Sequence, residues 1–318
     1  MNGVAAPRHA RFLDEGETAP VTGTPPPRRR VSVVMVVYRT GESLEQSLGC
    51  VLADPRVDEF VVVDNGSSLA EARRLRELQD DGRLALVAGQ GNVGFARGAN
   101  LGAARASGDI LVFLNPDAFL QADCIAELAR EIEARPGLSL IGGRVLNADG
   151  TEQRGARRGE ITPVSALLSM SGLARRVPAL ARFEVHWEDQ ALPPEATPTP
   201  TISGACFAMR REAFQAIGGF DEGFFLHVED VDLCWRVRQA GGEVLFSPRA
   251  EVIHIGGTSQ SHPLKVEFHK GVGLARYFRK RARGFGQHLA AWLLSPLVVG
   301  LAVARPLMRR MRRRSASS

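Results

Sequence analysis

Short runs of apolar residues that alternate with amphipathic segments are the feature that most constrains the fold of this chain. The first run, residues 31–37, consists almost wholly of valine, and comparable runs cover residues 59–63, 84–87 and 110–114. Segments with helical periodicity separate them. Strands this uniformly apolar are buried on both faces, and their alternation with helices implies right-handed βαβ units. We therefore expect an α/β protein with a Rossmann-like, mostly parallel sheet flanked by helices.

The alternation continues through the second half of the chain with one interruption. Residues 151–200 are proline-rich and weakly periodic, so we interpret them as a variable excursion that holds one short helix at 164–173. The other predicted elements are a helix at 122–133, strands near 139–142, 202–209 and 251–253, and a helix that Glu229 opens and two glycines end. The pattern predicts one domain over residues 31–282.

The positive charge of the chain is concentrated at its C-terminus. The formal net charge is +5, and six arginines without an acidic residue follow Ala304, so subtracting them leaves −1 for the rest of the chain. This distribution argues against a nucleic-acid-binding core and favours a tail that meets an anionic membrane surface. Four widely spaced cysteines without a CxxC pair fit a reducing compartment.

The two ends of the chain differ from the domain between them. Residues 1–30 are rich in proline and arginine and hold no apolar run long enough for a signal peptide, which predicts a disordered leader. Residues 289–304 are 16 uncharged residues, short of the roughly 20 that span a membrane, and Pro296 is expected to kink a helix there. We therefore interpret 283–318 as an apolar helix with a basic tail, either at a membrane interface or docked on the domain.

Polar side chains follow three of the predicted strands at the point where each strand ends. Tyr38 follows the first, Asp64 follows the second, and Asn115 and Asp117 follow the fourth. Ligands of open α/β sheets bind beyond the carboxyl ends of the strands. Turns also favour Asp, Asn and Gly for local reasons, but three such ends at one edge predict a binding site across that edge.

A glycine-rich turn follows the third predicted strand. Residues 89–94 match the spacing of the dinucleotide-binding fingerprint. That fingerprint belongs to the first βα turn and requires an acidic residue about 20 positions further on, which this turn lacks. An NAD-linked oxidoreductase is therefore the weaker interpretation, and the turn can still let the backbone approach a nucleotide.

Two groups of acidic residues are candidates for chemistry. Asp117 could hold Mg²⁺ or Mn²⁺, because these ions take oxygen ligands and borrow them from substrate phosphates. His254, which ends a predicted strand, could be a second ligand or a phosphate contact. Glu229, Asp230 and Asp232 share one helical turn beside an apolar segment. Desolvation and like charge there would raise a carboxyl pKa and suit a general base.

Taken in order, these segments resemble the family 2 glycosyltransferases, in particular their bacterial rhamnosyltransferase-like branch. The similar segments are 33–48, 61–67, 92–100, 113–118, 203–214 and 219–259, and the most specific begins Gly-Phe-Asp-Glu-Gly-Phe-Phe-Leu-His-Val-Glu-Asp-Val-Asp at Gly219. The resemblance implies a GT-A fold, a divalent metal ion, a dTDP- or UDP-linked sugar donor and inversion at the anomeric carbon. It also implies a nucleotide-binding half, 31–118, and an acceptor and catalytic half, 119–282.

The resemblance implies roles for individual residues on the donor side. The implied contacts are Tyr38 along the nucleoside, Asp64 at the base, Gly94, Arg97 and Asn100 in the nucleotide pocket, Asn115 and Asp117 in the metal motif, and Ser203 and Gly204 against the donor sugar. Two positions depart from the family pattern. Asn115 replaces the first Asp of the metal motif, so only Asp117 is anionic, and Arg39 stands where many relatives have Asn.

On the same basis, Asp230 corresponds to the catalytic base, with Glu229 beside it, and His254 to a histidine that contacts the metal or the diphosphate. The implied reaction transfers a deoxysugar such as rhamnose to a cell-surface glycan or lipid-linked acceptor, at the cytoplasmic face of the plasma membrane. A sugar-phosphate nucleotidyltransferase and a catalytically inactive sugar-binding module are alternatives. The sequence leaves the sugar, the nucleotide, the acceptor and the oligomeric state open.

Overall fold

The computed structural model describes residues 28–315, with side chains as far as residue 304. Most of the leader predicted at 1–30, and the last three residues of the predicted tail, therefore lie outside the described residues. The elements are β1 (Val31–Val37), α1 (Ser43–Ala53), β2 (Glu59–Asp64), α2 (Leu69–Asp80), β3 (Ala85–Val87), α3 (Phe95–Arg105), β4 (Ile110–Leu114), β5 (Ala118–Leu120), α4 (Cys124–Glu133), β6 (Ser139–Leu146), β7 (Arg157–Arg158), α5 (Pro163–Ser171), α6 (Leu173–Arg176), a 3-10 helix (Pro178–Phe183), β8 (Thr197–Pro198), β9 (Thr201–Ile202), β10 (Cys206–Arg210), α7 (Arg211–Ala216), α8 (Glu229–Gln239), β11 (Glu243–His254), α9 (Pro263–Arg281) and α10 (Gly284–Ser315).

Most strands form a single mixed sheet. Its order is β3–β2–β1–β4–β10–β6–β11–β5, and β8 pairs with β11. The first four strands are mutually parallel, whereas β10 runs antiparallel to both of its neighbours. All seven residues of β1 are buried, with Val33 and Met35 in the hydrophobic cluster on one face and Val34 and Val36 in the cluster on the other. The mostly parallel sheet flanked by helices confirms the predicted fold class.

The carboxyl ends of several strands meet at one edge of the sheet. Val37, which ends β1, lies opposite Asp64, which ends β2, and β4 pairs with β1 on the other side. β11 runs parallel to β6 and ends at His254, which lies opposite Ala118 in β5. The fold therefore brings His254 next to the turn after β4, although 137 residues separate it from Asp117.

The excursion at 151–200 holds more structure than its composition indicated. It contributes β7, which pairs antiparallel with β9 in a separate two-stranded sheet, and the helix α5. The single strand predicted at 202–209 is wrong, because the chain forms β9 and β10 with residues 203–205 between them. Ser203 N donates to Ala156 O, and Gly204 N donates to a carboxylate on α8. These bonds draw the intervening residues away from the main sheet.

Two helices at the end of the chain form a hairpin. Gly271 of α9 lies so close to α10 that a Cβ atom there would be 2.9 Å from Val299 Cα. Pro296 does not end the helix, because α10 is helical from Gly284 to Ser315. Pro296 cannot donate a backbone hydrogen bond, but Ser295 Oγ donates to Ala291 O (2.7 Å) and the contact with α9 supports the helix.

Candidate active site

A cavity of about 700 Å³ opens at the carboxyl edge of the sheet. Five of the predicted site residues line it, namely Tyr38, Gly94, Asn115, Asp117 and His254. Residues 225–227 and 257–270 supply much of the remaining wall. Its volume and its mixture of apolar and polar side chains are those of a small-molecule site. The polar strand ends recognised in the sequence therefore converge on one cavity.

Asp117 is the centre of a buried hydrogen-bond network in this cavity. Its Oδ1 lies 3.1 Å from His254 Nε2, and its Oδ2 accepts a hydrogen bond from Thr258 Oγ1 at 2.9 Å. Burial alone would raise the pKa of the Asp117 carboxyl, but the interactions with His254 and Thr258 outweigh burial and lower that pKa. Asp117 is therefore a carboxylate at neutral pH.

Gln153 fixes the orientation of the His254 ring. Gln153 Nε2 donates to the His254 carbonyl oxygen (2.8 Å), and its Oε1 lies 2.7 Å from His254 Nδ1. The other ring nitrogen, Nε2, therefore faces Asp117 Oδ1 and lies 3.3 Å from Asn115 Nδ2. A proton on Nε2 is donated to the Asp117 carboxylate; once that proton leaves, the nitrogen and the carboxylate can act as two ligands of one cation.

This pair of side chains fits a divalent metal ion. Two ligands at right angles, each about 2.1 Å from Mg²⁺, are about 3.0 Å apart, and the Asp117 and His254 atoms are 3.1 Å apart. Within residues 28–304, no group of three or more His, Cys, Asp and Glu side chains could hold a metal. An ion at Asp117 would therefore take its remaining ligands from water and from the phosphate oxygens of a substrate.

The glycine-rich turn is fixed against the cavity by two neighbouring segments. Asn65 Oδ1 accepts from Val93 N (3.0 Å), and Asn65 Nδ2 donates to Gly94 O (3.2 Å). Gly94 has a φ of 85°, and a Cβ there would lie 2.6 Å from Phe225 O. Only glycine is compatible with both constraints. The turn thus connects the end of β2 to the loop that precedes α8.

Arg39, one of the two departures from the family pattern, occupies a backbone position that suits other residues better. Its φ is 45°, in the left-handed region that favours Gly, Asn and Asp. Its guanidinium lies over the Tyr38 ring, 5.7 Å from the ring centroid. Asn would adopt the same φ at lower cost, whereas Arg39 places a cation beside Tyr38.

Asp230 lies in the first turn of α8 and lines a second, smaller cavity of about 150 Å³. Its Oδ2 accepts from Arg158 Nη2 (2.6 Å) and from Gly204 N (3.1 Å), and its Oδ1 accepts from Val231 N (2.8 Å). Burial would raise the pKa of Asp230, but the Arg158 guanidinium outweighs it and lowers that pKa. The raised pKa expected for the acidic cluster is therefore wrong for Asp230.

Glu229 is the member of the cluster whose pKa is raised. Its side chain is buried, and its Oε2 has no hydrogen-bond partner among the described residues. Burial, together with the negative charge of Asp230, raises the pKa of Glu229 to about 8. Asp232, by contrast, is fully buried and bonded to Arg236 and Lys280, which gives it a structural role. One helical turn thus holds three carboxyl groups with three different sets of partners.

The two cavities adjoin. His227 and Lys270 line both of them. His227 and Val228 have φ values of 66° and 75°, which are rare for residues other than glycine and especially for a β-branched one. Such strain costs on the order of 1–3 kcal/mol per residue and is concentrated at functional sites. Here it turns the chain abruptly into α8, so that Glu229 and Asp230 open the helix beside the shared wall.

The structure does not bring every predicted site residue to a cavity. Asp64 uses its Oδ1 to accept from the backbone of Gly66 and Ser67. Asn100 is occupied in binding the backbone of Phe220 through both ends of its amide, and Arg97 is exposed and paired with Glu222 at 3.7 Å. Ser203 Oγ accepts from Ala205 N. In contrast to the prediction, Arg97 and Asn100 brace the 220–222 loop and do not line either cavity.

Several residues of the site escaped the sequence analysis. Gln153 and Arg158 lie in the weakly periodic excursion, where no pattern distinguished them, although Arg157-Arg158 is a notable pair of adjacent arginines. Thr258 follows Gly256-Gly257 in the segment after His254, and that proximity was the only available signal. These residues are brought to Asp117 and Asp230 by long-range contacts, which a single sequence does not reveal.

Comparison with protein families identifies the chain. A family model described as glycosyl transferase family 2 matches residues 32–218. The chain belongs to this family. A second model, described as the N-terminal domain of galactosyltransferase, matches residues 193–257, the part that contains the acidic cluster and His254. As a family 2 glycosyltransferase the chain is neither the oxidoreductase nor the nucleotidyltransferase considered as alternatives.

The curated relatives include rhamnosyltransferases. N-acetylglucosaminyl-diphospho-decaprenol L-rhamnosyltransferase of Mycobacterium tuberculosis H37Rv is 27% identical over 249 residues, which cover 70% of this chain and 75% of the relative. Rhamnosyltransferase WbbL of Escherichia coli K12 is 25% identical over 241 residues, covering 70% and 83% of the two chains. These similarities place the chain near enzymes of glycan biosynthesis.

Solved structures share the fold. GalNAc-T7 with UDP, GalNAc and Mn²⁺ superposes with a TM-score of 0.56 at 19% identity, over 78% of this chain and 48% of that one. Mannosyltransferase PcManGT of Pyrobaculum calidifontis, in complex with GDP-Man and Mn²⁺, gives a TM-score of 0.54 at 19% identity, over 87% and 74%. At this level of identity the likeness shows the GT-A fold.

Proposed function

We propose that this family 2 glycosyltransferase is an inverting, metal-dependent enzyme that transfers a sugar from a nucleotide-diphosphate-sugar to a hydroxyl of a glycan or lipid-linked acceptor. We propose rhamnose as the sugar, since relatives from Mycobacterium tuberculosis and Escherichia coli are named rhamnosyltransferases, and dTDP or UDP as the nucleotide. The observation that carries the proposal is the pair of adjoining cavities, one with the Asp117–His254 pair and the other with Asp230.

The larger cavity supplies what a nucleotide-sugar donor requires. Tyr38 offers an aromatic face for a nucleoside, and the turn at Gly94 lets backbone approach a ligand closely. Asp117 and His254 would hold a divalent ion, Mg²⁺ or Mn²⁺; both structural neighbours contain Mn²⁺. When bound, such an ion stabilises the charge that grows on the leaving nucleoside diphosphate.

Asp230 supplies the other half of the reaction. It remains a carboxylate at neutral pH, and it lines the cavity that adjoins the donor cavity. Asp230 takes the proton of the acceptor hydroxyl as that oxygen forms a bond to the anomeric carbon, while the bond to the nucleoside diphosphate breaks. A single displacement of this kind inverts the anomeric configuration, and general-base assistance contributes about 10²–10⁴-fold.

The C-terminal hairpin supplies a surface for membrane contact. Buried residues of α10, including Ala291, Val298 and Ala302, pack inward, whereas a set of apolar side chains is exposed: Phe285, Leu289, Trp292, Leu293 and Leu297. Residues Gly284–Ala304 are long and apolar enough to cross a membrane by length and composition. The arginine-rich segment that follows favours the interface of an anionic membrane. We infer that the enzyme is cytoplasmic and peripheral on the inner face of the plasma membrane.

A screen of nucleotide-sugars tests this proposal. Purified protein is incubated with dTDP-rhamnose and a set of UDP-, GDP- and dTDP-hexoses, with Mn²⁺ or with EDTA, and release of nucleoside diphosphate is measured. We expect Mn²⁺-dependent release from one donor class, and NMR of the transferred sugar should show the opposite anomeric configuration from the donor. Binding without release or transfer would identify the inactive sugar-binding module instead.

A further inference from the structure

Arg158 connects the small β7–β9 sheet to Asp230. Its Nη2 donates both to Asp230 Oδ2 (2.6 Å) and to the backbone oxygen of Ile202 in β9 (2.8 Å). The side chains of Arg158 and Asp230 are only 16% and 15% exposed. Because the Ile202 carbonyl oxygen does not move with either side chain, it fixes the guanidinium, and the guanidinium in turn restrains the carboxylate.

The Asp230 carboxylate is restrained from the opposite side as well. Gly204 N donates to the same Oδ2 at 3.1 Å, and a Cβ atom at Gly204 would lie 3.2 Å from Asp230 Cβ. Oδ1 is held by Val231 N at 2.8 Å. The backbone bonds determine where the carboxylate can sit, but neither backbone group carries a charge. The charge that compensates the buried carboxylate comes from Arg158.

We propose that Arg158 is a positioning residue for sugar transfer: it keeps the Asp230 carboxylate charged and fixes its direction in the smaller cavity. This inference rests on the proposed function, in which Asp230 is the base. Arg158 does not itself contact the reacting atoms. It acts through the ion pair, and when Asp230 accepts the proton of the acceptor hydroxyl the pair becomes a hydrogen bond between a cation and a neutral acid.

Burial and the neighbouring charges have opposing effects on the protonation of Asp230. The titratable or charged residues that face it or share its cavity are Glu229 and Cys234 on α8, His227 before that helix, Lys270 on α9, and Arg154, Arg158 and His186 from the excursion. Burial favours neutral Asp230, and Arg158 is the hydrogen-bonded cation that opposes it. Loss of Arg158 is therefore expected to raise the pKa of Asp230.

An NMR titration measures this effect without substrate or metal. The protein is labelled with ¹³C at the aspartate side-chain carboxyl, and the Asp230 resonance is assigned by its absence from the Asp230→Asn variant. We expect Arg158→Met to move the Asp230 midpoint upward by one pH unit or more. The matched control is Arg144→Met, which removes another partly buried arginine–carboxylate pair, with Glu251, away from both cavities. An unchanged midpoint in Arg158→Met would contradict the proposal.

The pH profile of donor hydrolysis gives the second readout, with dTDP-rhamnose and Mn²⁺ or the donor that the screen identifies. We expect Arg158→Met to move the acid limb of the profile to higher pH by as many pH units as the Asp230 midpoint rises, with little change in activity on the alkaline side of that limb. Arg158→Lys, which keeps the charge but not the planar fork, should retain the wild-type acid limb with a lower kcat.

The outcomes separate this inference from the proposed function. A uniform loss at every pH in Arg158→Met would show a purely structural role. If Arg158→Met does not fold, Arg158→Lys decides, because an unchanged kcat in that variant contradicts positioning. Full activity of Asp230→Asn would instead overturn the proposed base, whatever the Arg158 variants show.

Discussion

At the scale of single residues, two carboxylates with lowered pKa values serve different purposes because their partners differ. Asp117 faces a histidine ring nitrogen and a hydroxyl, two groups that can share a cation with it, whereas Asp230 faces a guanidinium and two backbone amides. The sequence placed both residues in candidate motifs. It could not predict their electrostatic states, because His254 is 137 residues from Asp117 and Arg158 is 72 residues from Asp230 along the chain.

Substitution of Asp230 tests the base. Asp230→Asn preserves the shape of the side chain but removes its ability to accept a proton, so we expect transfer to fall by about 10²–10⁴-fold. Donor affinity, measured by calorimetry with Mn²⁺, should stay within about twofold of wild type. Near-normal turnover would remove Asp230 from the role of base.

Substitution of Asp117 tests the metal site. Asp117→Ala removes the anionic member of the Asp117–His254 pair, so the Mn²⁺-dependent part of donor affinity should fall by about 10–100-fold. Calorimetry with and without Mn²⁺ separates that part from metal-independent binding. Asp80→Ala, which alters an exposed aspartate at the end of α2, is the matched control. Donor affinity in Asp117→Ala that still responds fully to Mn²⁺ would rule out this site.

Glu229 makes stability depend on pH in a defined direction. Its pKa is about 8 in the folded chain and about 4.5 when unfolded, so the unfolded state releases the proton first as pH rises. The contribution of Glu229 to the free energy of unfolding should therefore decrease between about pH 4.5 and 8, by about 1.4 kcal/mol for each pH unit, and level off above pH 8. Burial lowers the pKa of His186 and of His227 to about 4, and these two groups act in the opposite direction below about pH 6.5. The Glu229 contribution is therefore measured as the difference between wild type and Glu229→Gln in urea titrations, and a difference that does not change with pH would contradict it.

At the scale of elements, apolar strands were predictable and polar connections were not. β1, β2 and β4 match the predicted runs closely because burial on both faces requires apolar residues throughout. β11 is twelve residues long, far longer than the predicted 251–253. The sequence did not indicate its full length, because Ser247, Pro248 and Arg249 interrupt the apolar pattern in the middle, where the pairing with β6 is irregular. The break between β9 and β10 depends on hydrogen bonds to distant residues, so nothing local indicated it.

We expect the exposed apolar face of α10 to bind the membrane. Replacing Phe285, Leu293 and Leu297 with serine removes exposed apolar surface and keeps Trp292, whose ring contacts Arg279 of α9. Co-sedimentation with phosphatidylglycerol vesicles should fall several-fold in this variant, while thermal stability should change little. Wild-type binding should weaken in high salt, since the arginines after Ala304 contribute about 1 kcal/mol each near anionic lipid. Equal sedimentation of the triple variant and wild type would contradict the interface.

At the scale of the whole molecule, the topology converts distant segments into one site. The crossover that places β10 and β6 between β4 and β11 carries the chain back so that His254 meets Asp117. The excursion then delivers Arg158 to Asp230. Sequence patterns predicted the fold class and the sheet edge that holds the site, since these depend on strand order and strand ends. The contacts between His254 and Asp117 and between Arg158 and Asp230 depend on the tertiary packing of polar residues, which produces no periodic pattern in the sequence.

A crystal structure of the chain with Mn²⁺ and a non-transferable donor analogue tests the central claim most directly. The anomalous signal of manganese should lie within coordinating distance of both Asp117 and His254, with the diphosphate on the same ion. The anomeric carbon should then be directed toward Asp230 at the wall shared by the two cavities. A manganese peak on another surface, or a donor sugar that points away from Asp230, would contradict this account.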